Sequence, residues 1–237
     1  MSRVPGVFLR AEWRHLLMLN YEVDPEILRA HVPAGTELDL LGGRCYASVV
    51  GFMFLRTRVL GVPIPFHRDF EEVNLRFYVR RRGPEGWRRG VVFIREMVPR
   101  WAIAAVARVL YGENYVALPM RHVIAEERVE YGWRTSGEWA CVRARPTGPL
   151  RELEPGSEAE FIAEHYWGYA RTRSGGTVEY RVEHPRWLVR DAVDPQLNAD
   201  VAALYGQAFA EPLSRPPRSA FIAEGSLIVV RHGERVR

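Results

Sequence analysis

Glu71-Glu72-Val73-Asn74-Leu75-Arg76-Phe77-Tyr78-Val79 is the stretch on which the fold of this chain turns. Successive side chains of a β-strand point to opposite faces. One face here carries Val73, Leu75, Phe77 and Val79, an unbroken apolar row. The other carries Glu72, Asn74, Arg76, Tyr78 and Arg80. Two-residue periodicity with β-branched and aromatic side chains predicts a strand over 71–81. The polar face has two readings. An antiparallel strand commonly keeps one face wet, or an acid, an amide, a guanidinium and a phenol in register meet a polar ligand.

Reading outward, Gly83-Pro84-Glu85-Gly86 turns the chain back into a second strand over 90–97, giving a hairpin with a loop of several residues. Arg95 and Glu96 on that partner strand are secondary site candidates. Upstream, 44–55 is rich in Val, Phe and Tyr and reads as a strand. The segment 12–21 has strand character, although its run Leu16-Leu17-Met18-Leu19 suits a helix as well. Asp24 and Pro25 open a short helix as cap and first residue. Two prolines within 61–65 argue against regular structure there.

Downstream, the alanine-rich run after Pro99 predicts a helix closed by Gly112. Strands are expected at 116–131 and 138–145. Ser157 with Glu160 at the capping-box spacing predicts a helix over 157–166. A strand at 177–184, a short helix near 198–206 and a last strand at 219–231 complete the chain. Strands dominate, and helices do not alternate with them. The expected fold is α+β, a mostly antiparallel twisted sheet with a few short helices, in one domain spanning 1–237.

Composition closes several routes. All 33 basic residues are arginine, so no lysine side chain exists to form a Schiff base. Arginine stays protonated and cannot replace lysine as a nucleophile. The 33 arginines face 29 acids for a net charge of +4, and the signs are interleaved, as in Glu126-Glu127-Arg128-Glu130. A nucleic-acid binder would carry a one-signed stripe or a known module, so no nucleic acid is expected as partner. The Gly-x-Ser-x-Gly, Gly-x-x-x-x-Gly-Lys and Gly-x-Gly-x-x-Gly patterns are absent, and no cofactor is expected. Cys45 and Cys141 are isolated, no signal-like or spanning apolar stretch is present, and a cytoplasmic protein without a membrane partner is expected. Self-association into a homo-oligomer stays open.

His67-x-Asp69-x-Glu71 alternates as metal ligands on a strand can, but it follows the proline-rich loop and lacks a fourth ligand, so no metal is expected. His184 is held extended before Pro185, and with Trp187 it could rim a pocket or simply pack near a turn.

Ordered segments along the chain carry a resemblance. They begin with Trp13, Asp24-Pro25-x-x-Leu28, Val32-Pro33-x-Gly35 and Gly43-x-x-Tyr46. Glu72-x-Asn74-x-Arg76-x-Tyr78-Val79 and Gly90-Val91-x-Phe93 follow. Ala107-Arg108, Phe161-x-x-Glu164-x-Tyr166 and His184-Pro185-x-Trp187 complete the series. From Phe8 to about Arg231 the chain resembles the uncharacterised YqjF-type family, grouped with the acetoacetate decarboxylase-like superfamily. That resemblance implies a barrel-like sheet enclosing a cavity. It also shifts the polar face of 71–81 towards a ligand: Glu72 as general acid or base, Arg76 as anchor for a carboxylate, and Asn74 and Tyr78 as further contacts. Outside that strand, Arg95, His184 and Trp187 complete the ligand-binding candidates. The superfamily's Schiff-base lysine has no counterpart here. The expected function is binding of a small organic acid, with acid–base turnover as one form of it. A non-catalytic sensor with the same cavity, or a structural module with a solvated strand face, stays open.

Overall fold

The run Leu16-Leu17-Met18-Leu19 lies within a strand, β1 (Val7–Glu22). Leu17 and Leu19 belong to one apolar cluster, and Leu16 and Met18 to another. A strand buried on both faces reads as a continuous apolar run, which is why periodicity alone left this segment ambiguous.

The computed structural model describes residues 5–64, 67–99, 114–135, 137–172 and 175–236. After β1 come α1 (Pro25–Arg29), β2 (Glu37–Leu38), β3 (Tyr46–Val59), β4 (Val62–Pro63), β5 (Phe70–Gly83) and β6 (Gly86–Val98). Next are β7 (Tyr115–Ala117), β8 (Met120–Ala125), β9 (Arg128–Arg134), β10 (Trp139–Arg151) and α2 (Glu158–Ala163). The chain ends with β11 (Trp167–Arg171), β12 (Thr177–Glu183), β13 (Val189–Asn198), α3 (Val201–Tyr205), α4 (Gln207–Ser214), β14 (Ser219–Arg231) and β15 (Glu234–Arg235).

One sheet joins the strands in the order β15-β12-β11-β6-β5-β3-β1-β14-β13-β10-β9-β8. β12 also pairs with β14, Val182 opposite Val230, so the pairing path from β12 to β14 returns to its start. Among the described residues only β6–β11 and β6–β7 are parallel. The chain is therefore α+β, mostly antiparallel sheet with few helices, as its strand-rich pattern implied.

Alternation on β5 and β3 separates two cores. Val73, Leu75, Phe77 and Val79 pack with Tyr131 and Trp133 of β9 and with Leu204 and Phe209 of the two C-terminal helices. Gly51 of β3 permits that packing, because a Cβ there would stand 2.5 Å from Tyr131 Cδ2. The second core gathers Leu16, Met18, Phe52, Phe54, Phe70 and Tyr78 around α2 and Trp187.

Local chemistry explains the short helices. Asp24 Oδ1 accepts from Glu26 N at 2.9 Å, and Ser157 Oγ accepts from Glu160 N at 3.1 Å. Glu160 reaches back one residue further than expected, to Gly156 N at 2.7 Å.

Several boundaries differ from the sequence expectation. The first hairpin turns through Pro84 and Glu85 alone, since Gly83 pairs with Gly86. The strand expected over 116–131 is broken by a tight turn at Glu126-Glu127, where Ala125 faces Arg128. Val62–Pro63 forms a two-residue pairing with β3 despite its proline, at an edge where no further ladder bond is needed. α2 stops at Ala163, and β11 follows it. β13 was not anticipated: Asp194 has φ of 53°, Pro195 follows, and the register with β10 shifts there, so a bulge hides the strand pattern. The helix near 198–206 is α3, and the sequence reading did not foresee α4 beyond it. The helix expected over 99–112 lies outside the described residues from 100 onward.

Candidate functional site

The polar face of β5 is interior. Glu72, Asn74, Arg76 and Tyr78 are all buried, with Arg76 only 8% exposed. The solvated-face reading therefore fails: β5 is flanked by β3 and β6, and α2 packs over the face that would have been wet.

Three of these side chains line a cavity of about 160 Å³. Its walls are mostly apolar, with Trp13, Phe52, Phe54 and Phe70 on one side and Phe8, Val182 and Val230 on another. Glu72, Asn74, Arg76, Glu96, Tyr115 and His165 supply most of the polar part. A volume near 150 Å³ holds a molecule of about benzene's size.

The carboxylate end is built from adjacent strands. Asn74 Nδ2 donates to Glu72 Oε1 at 2.9 Å, and the Tyr115 hydroxyl on β7 donates to Glu72 Oε2 at 3.1 Å. Glu96 stands opposite Asn74 in the β5–β6 register and also hydrogen-bonds Tyr115. Burial pushes the Glu72 carboxyl up to about 7, against the lowering effects of Asn74, Tyr115 and the Arg76 charge. Burial and the two carboxylates likewise hold the Tyr115 phenol well above its usual value.

The guanidinium end is different. Arg76 Nη2 donates to Ile162 O at 3.3 Å and lies 3.9 Å from Met18 Sδ. Its Nε is buried without a partner, and among the described residues no carboxylate lies within ion-pair distance of it. Its charge meets a carbonyl, a thioether and the Tyr78 ring at short range, and the Glu72 carboxyl only beyond ion-pair distance, so it is incompletely balanced.

His165, just beyond α2, completes the polar set. Its ring packs against Tyr78 at 4.7 Å and Phe161 at 5.2 Å between centroids. Nε2 is 3.2 Å from Asp39 Oδ2, which also accepts from Arg89 Nε at 2.7 Å.

The remaining candidates sit elsewhere. Tyr78 supports the site from beneath: its hydroxyl meets Ser48 Oγ at 2.6 Å, and its ring centroid is 5.7 Å from the Arg76 guanidinium carbon. His184 stacks on Trp187 at 4.1 Å, and Trp187 contacts Trp13, a wall residue, at 6.3 Å. Neither is itself a wall residue. Arg95 is placed opposite Leu75, on the face away from the cavity. A bulge between Leu75 and Arg76 is the cause, because it inserts one residue in β6 and exchanges the faces of Arg95 and Glu96. His67 lines the cavity, whereas Asp69 accepts from Arg56 N at 2.7 Å and Glu71 meets His122 at 2.6 Å, so the three do not converge.

Tyr115 and Asp39 went unnoticed in the sequence. Tyr115 is isolated in sequence, and only the parallel β6–β7 pairing brings it opposite Glu96.

This mostly antiparallel sheet with few helices has the acetoacetate decarboxylase-like fold. The chain superposes on acetoacetate decarboxylase from Legionella pneumophila with a TM-score of 0.69 over 100% of this chain and 90% of that one, at 14% identity. It superposes on the enduracididine biosynthesis enzyme MppR, in complex with pyruvate, with a TM-score of 0.66 over 99% and 91% of the two chains, at 12% identity. Residues 10–226 match the model of the DUF2071 family of uncharacterized conserved proteins, and the chain belongs to that family. The uncharacterized protein YqjF of Bacillus subtilis is 31% identical over 189 residues, 78% of this chain and 76% of that protein.

Proposed function

We propose that this chain binds a small organic acid in the β5 cavity and moves a proton on it with Glu72. The observation that carries the reading is Arg76, a buried guanidinium on the cavity wall with no carboxylate partner among the described residues. A ligand carboxylate would accept two parallel N–H bonds from it and balance the charge. The apolar walls would then hold the carbon skeleton, and the ring of strands acts as a barrel-like enclosure.

Glu72 supports turnover rather than storage. A carboxyl near 7 is divided between its acid and its base form at neutral pH, which suits it to take a proton from a ligand carbon or oxygen and return it. Asn74 orients it through one oxygen and Tyr115 through the other. No lysine is present, so the step proceeds without a side-chain Schiff base. The pyruvate held by MppR supports the acid class, because it is a small carboxylate in the same fold. The two thiols are free, in keeping with a reducing, cytoplasmic setting.

The test is a thermal-shift screen of wild type and Arg76→Met against small organic acids, followed by proton exchange in D₂O on any acid that binds. An acid should stabilise wild type and leave the folded variant unmoved. Deuterium should enter that acid with wild type, and Glu72→Gln should bind it without exchange. Binding with no exchange in wild type would make the protein a sensor. An acid that stabilises both proteins alike would remove Arg76 from the site.

A further inference from the structure

The Arg76 cavity has a second, uncharged recognition point. We infer that His165 presents a bare Nδ1 as hydrogen-bond acceptor to the ligand, so that the acid bound beside it carries a hydroxyl group. This inference rests on the organic-acid reading above and narrows its ligand class.

The geometry that supports it begins with Asp39, which is buried and receives both His165 Nε2 and Arg89 Nε on one oxygen. Burial alone would raise the Asp39 carboxyl, but the hydrogen bonds from His165 and Arg89, with the Arg89 charge, outweigh it and hold Asp39 below its usual value. An ionised carboxylate only accepts, so the His165 hydrogen facing it belongs to Nε2. Burial pushes the imidazole down to about 4, with Arg89 and Arg76 adding to that and Asp39 opposing it. The ring is therefore neutral at ordinary pH, and Nδ1 keeps its lone pair.

That nitrogen is buried and has no partner among the described residues, and His165 is one of the residues that line the cavity. A buried acceptor left without a donor is costly. Tyr78 and Phe161 pack on the imidazole and fix its direction. The same segment supplies Ile162 O to Arg76, so the anion anchor and the acceptor are held together by three residues of chain. A carboxylate set on Arg76 then brings the next one or two carbons of the ligand towards His165. Glu72, on the β5 side, faces the same space. Asp39 and Arg89 act as positioning residues, since they reach the ligand only through the imidazole.

The experiment compares butanoate, 2-hydroxybutanoate and 3-hydroxybutanoate by titration calorimetry on wild type and His165→Phe. One hydroxy acid should bind wild type about three- to tenfold tighter than butanoate, the usual worth of a single neutral hydrogen bond. In His165→Phe that advantage should vanish, leaving neither hydroxy acid tighter than butanoate. If butanoate binds and neither hydroxy acid is tighter, the acceptor inference is wrong and the anion cavity stands. If none of the three binds, both readings fall. Nitrogen-15 NMR of histidine-labelled wild type needs no variant: a bare Nδ1 at His165 is expected, and a hydrogen on Nδ1 overturns the inference.

Discussion

Arg76 on β5 donates to the carbonyl of Ile162 on α2 at 3.3 Å, across 86 residues of sequence, and has no carboxylate within ion-pair distance among the described residues. A buried ion pair that loses one partner is destabilised by roughly 3–5 kcal/mol. Arg76 lacks that partner already, so removing its charge should be cheap. Arg76→Met keeps much of the volume and should leave the ligand-free protein within about 1 kcal/mol of wild type, or above it, in urea unfolding. Acid binding should disappear in the same variant. A large loss of stability would show instead that the guanidinium is a structural partner.

Glu72 gives the protein a pH signature. Its carboxyl rises from an ordinary 4.5 to about 7 because burial disfavours the charged form. Between those values the folded chain holds a proton that the unfolded chain has released. The associated stability is complete below about 4.5 and is lost as pH rises through about 7. His165 works in the opposite direction: its folded value near 4 lies below the ordinary 6.5, so its share is lost as pH falls through that range. Comparing wild type with Glu72→Gln cancels the histidine. The variant should gain on wild type progressively from about pH 5 to about pH 8. Parallel stability curves would mean that Glu72 is not held near 7.

The joint between β6 and β11 depends on Gly90. A Cβ at this position would stand 2.6 Å from Trp167 O and 2.6 Å from Tyr169 Cε2. The backbone oxygen cannot swing aside, so Gly90→Ala should push β11 away and cost about 1–3 kcal/mol, as overpacking does. Hydrogen exchange should quicken at 167–171 more than at β1. Unchanged exchange there would show that β11 accommodates the methyl group.

The sequence displayed β5 well because its two-residue alternation is unbroken from Glu72 to Arg80. What it could not display was that both faces are buried, since alternation reports two environments and not which of them is wet. The face exchange of Arg95 and Glu96 was hidden for a related reason. Counting back from the Gly83–Gly86 turn places Arg95 opposite Asn74, and the bulge at Ile94 shifts the register by one. Bulges depend on how the sheet bends, which neighbouring strands decide. Tyr115 and His165 reach the site through pairings and contacts between distant segments, so no local spacing marks them. The arginine-only composition by itself closes the lysine route.

Beneath the cavity runs a buried hydrogen-bond chain whose direction can be worked out. Ser48 Oγ donates to Asn20 Oδ1 at 2.7 Å and lies 2.6 Å from the Tyr78 hydroxyl. A serine has one hydrogen, so Tyr78 must be the donor in the second bond. Ser48→Ala then strands two buried groups, the Tyr78 hydroxyl and Asn20 Oδ1, and should cost on the order of 2–4 kcal/mol. Tyr78→Phe removes only a bond that Ser48 accepts and leaves the Asn20 contact intact, so its cost should stay under about 1.5 kcal/mol. Urea unfolding of the two variants and of the double variant measures this directly. The double variant should be more stable than Ser48→Ala alone, because phenylalanine removes the stranded hydroxyl. A double variant that falls below Ser48→Ala would reverse the assigned direction of the chain.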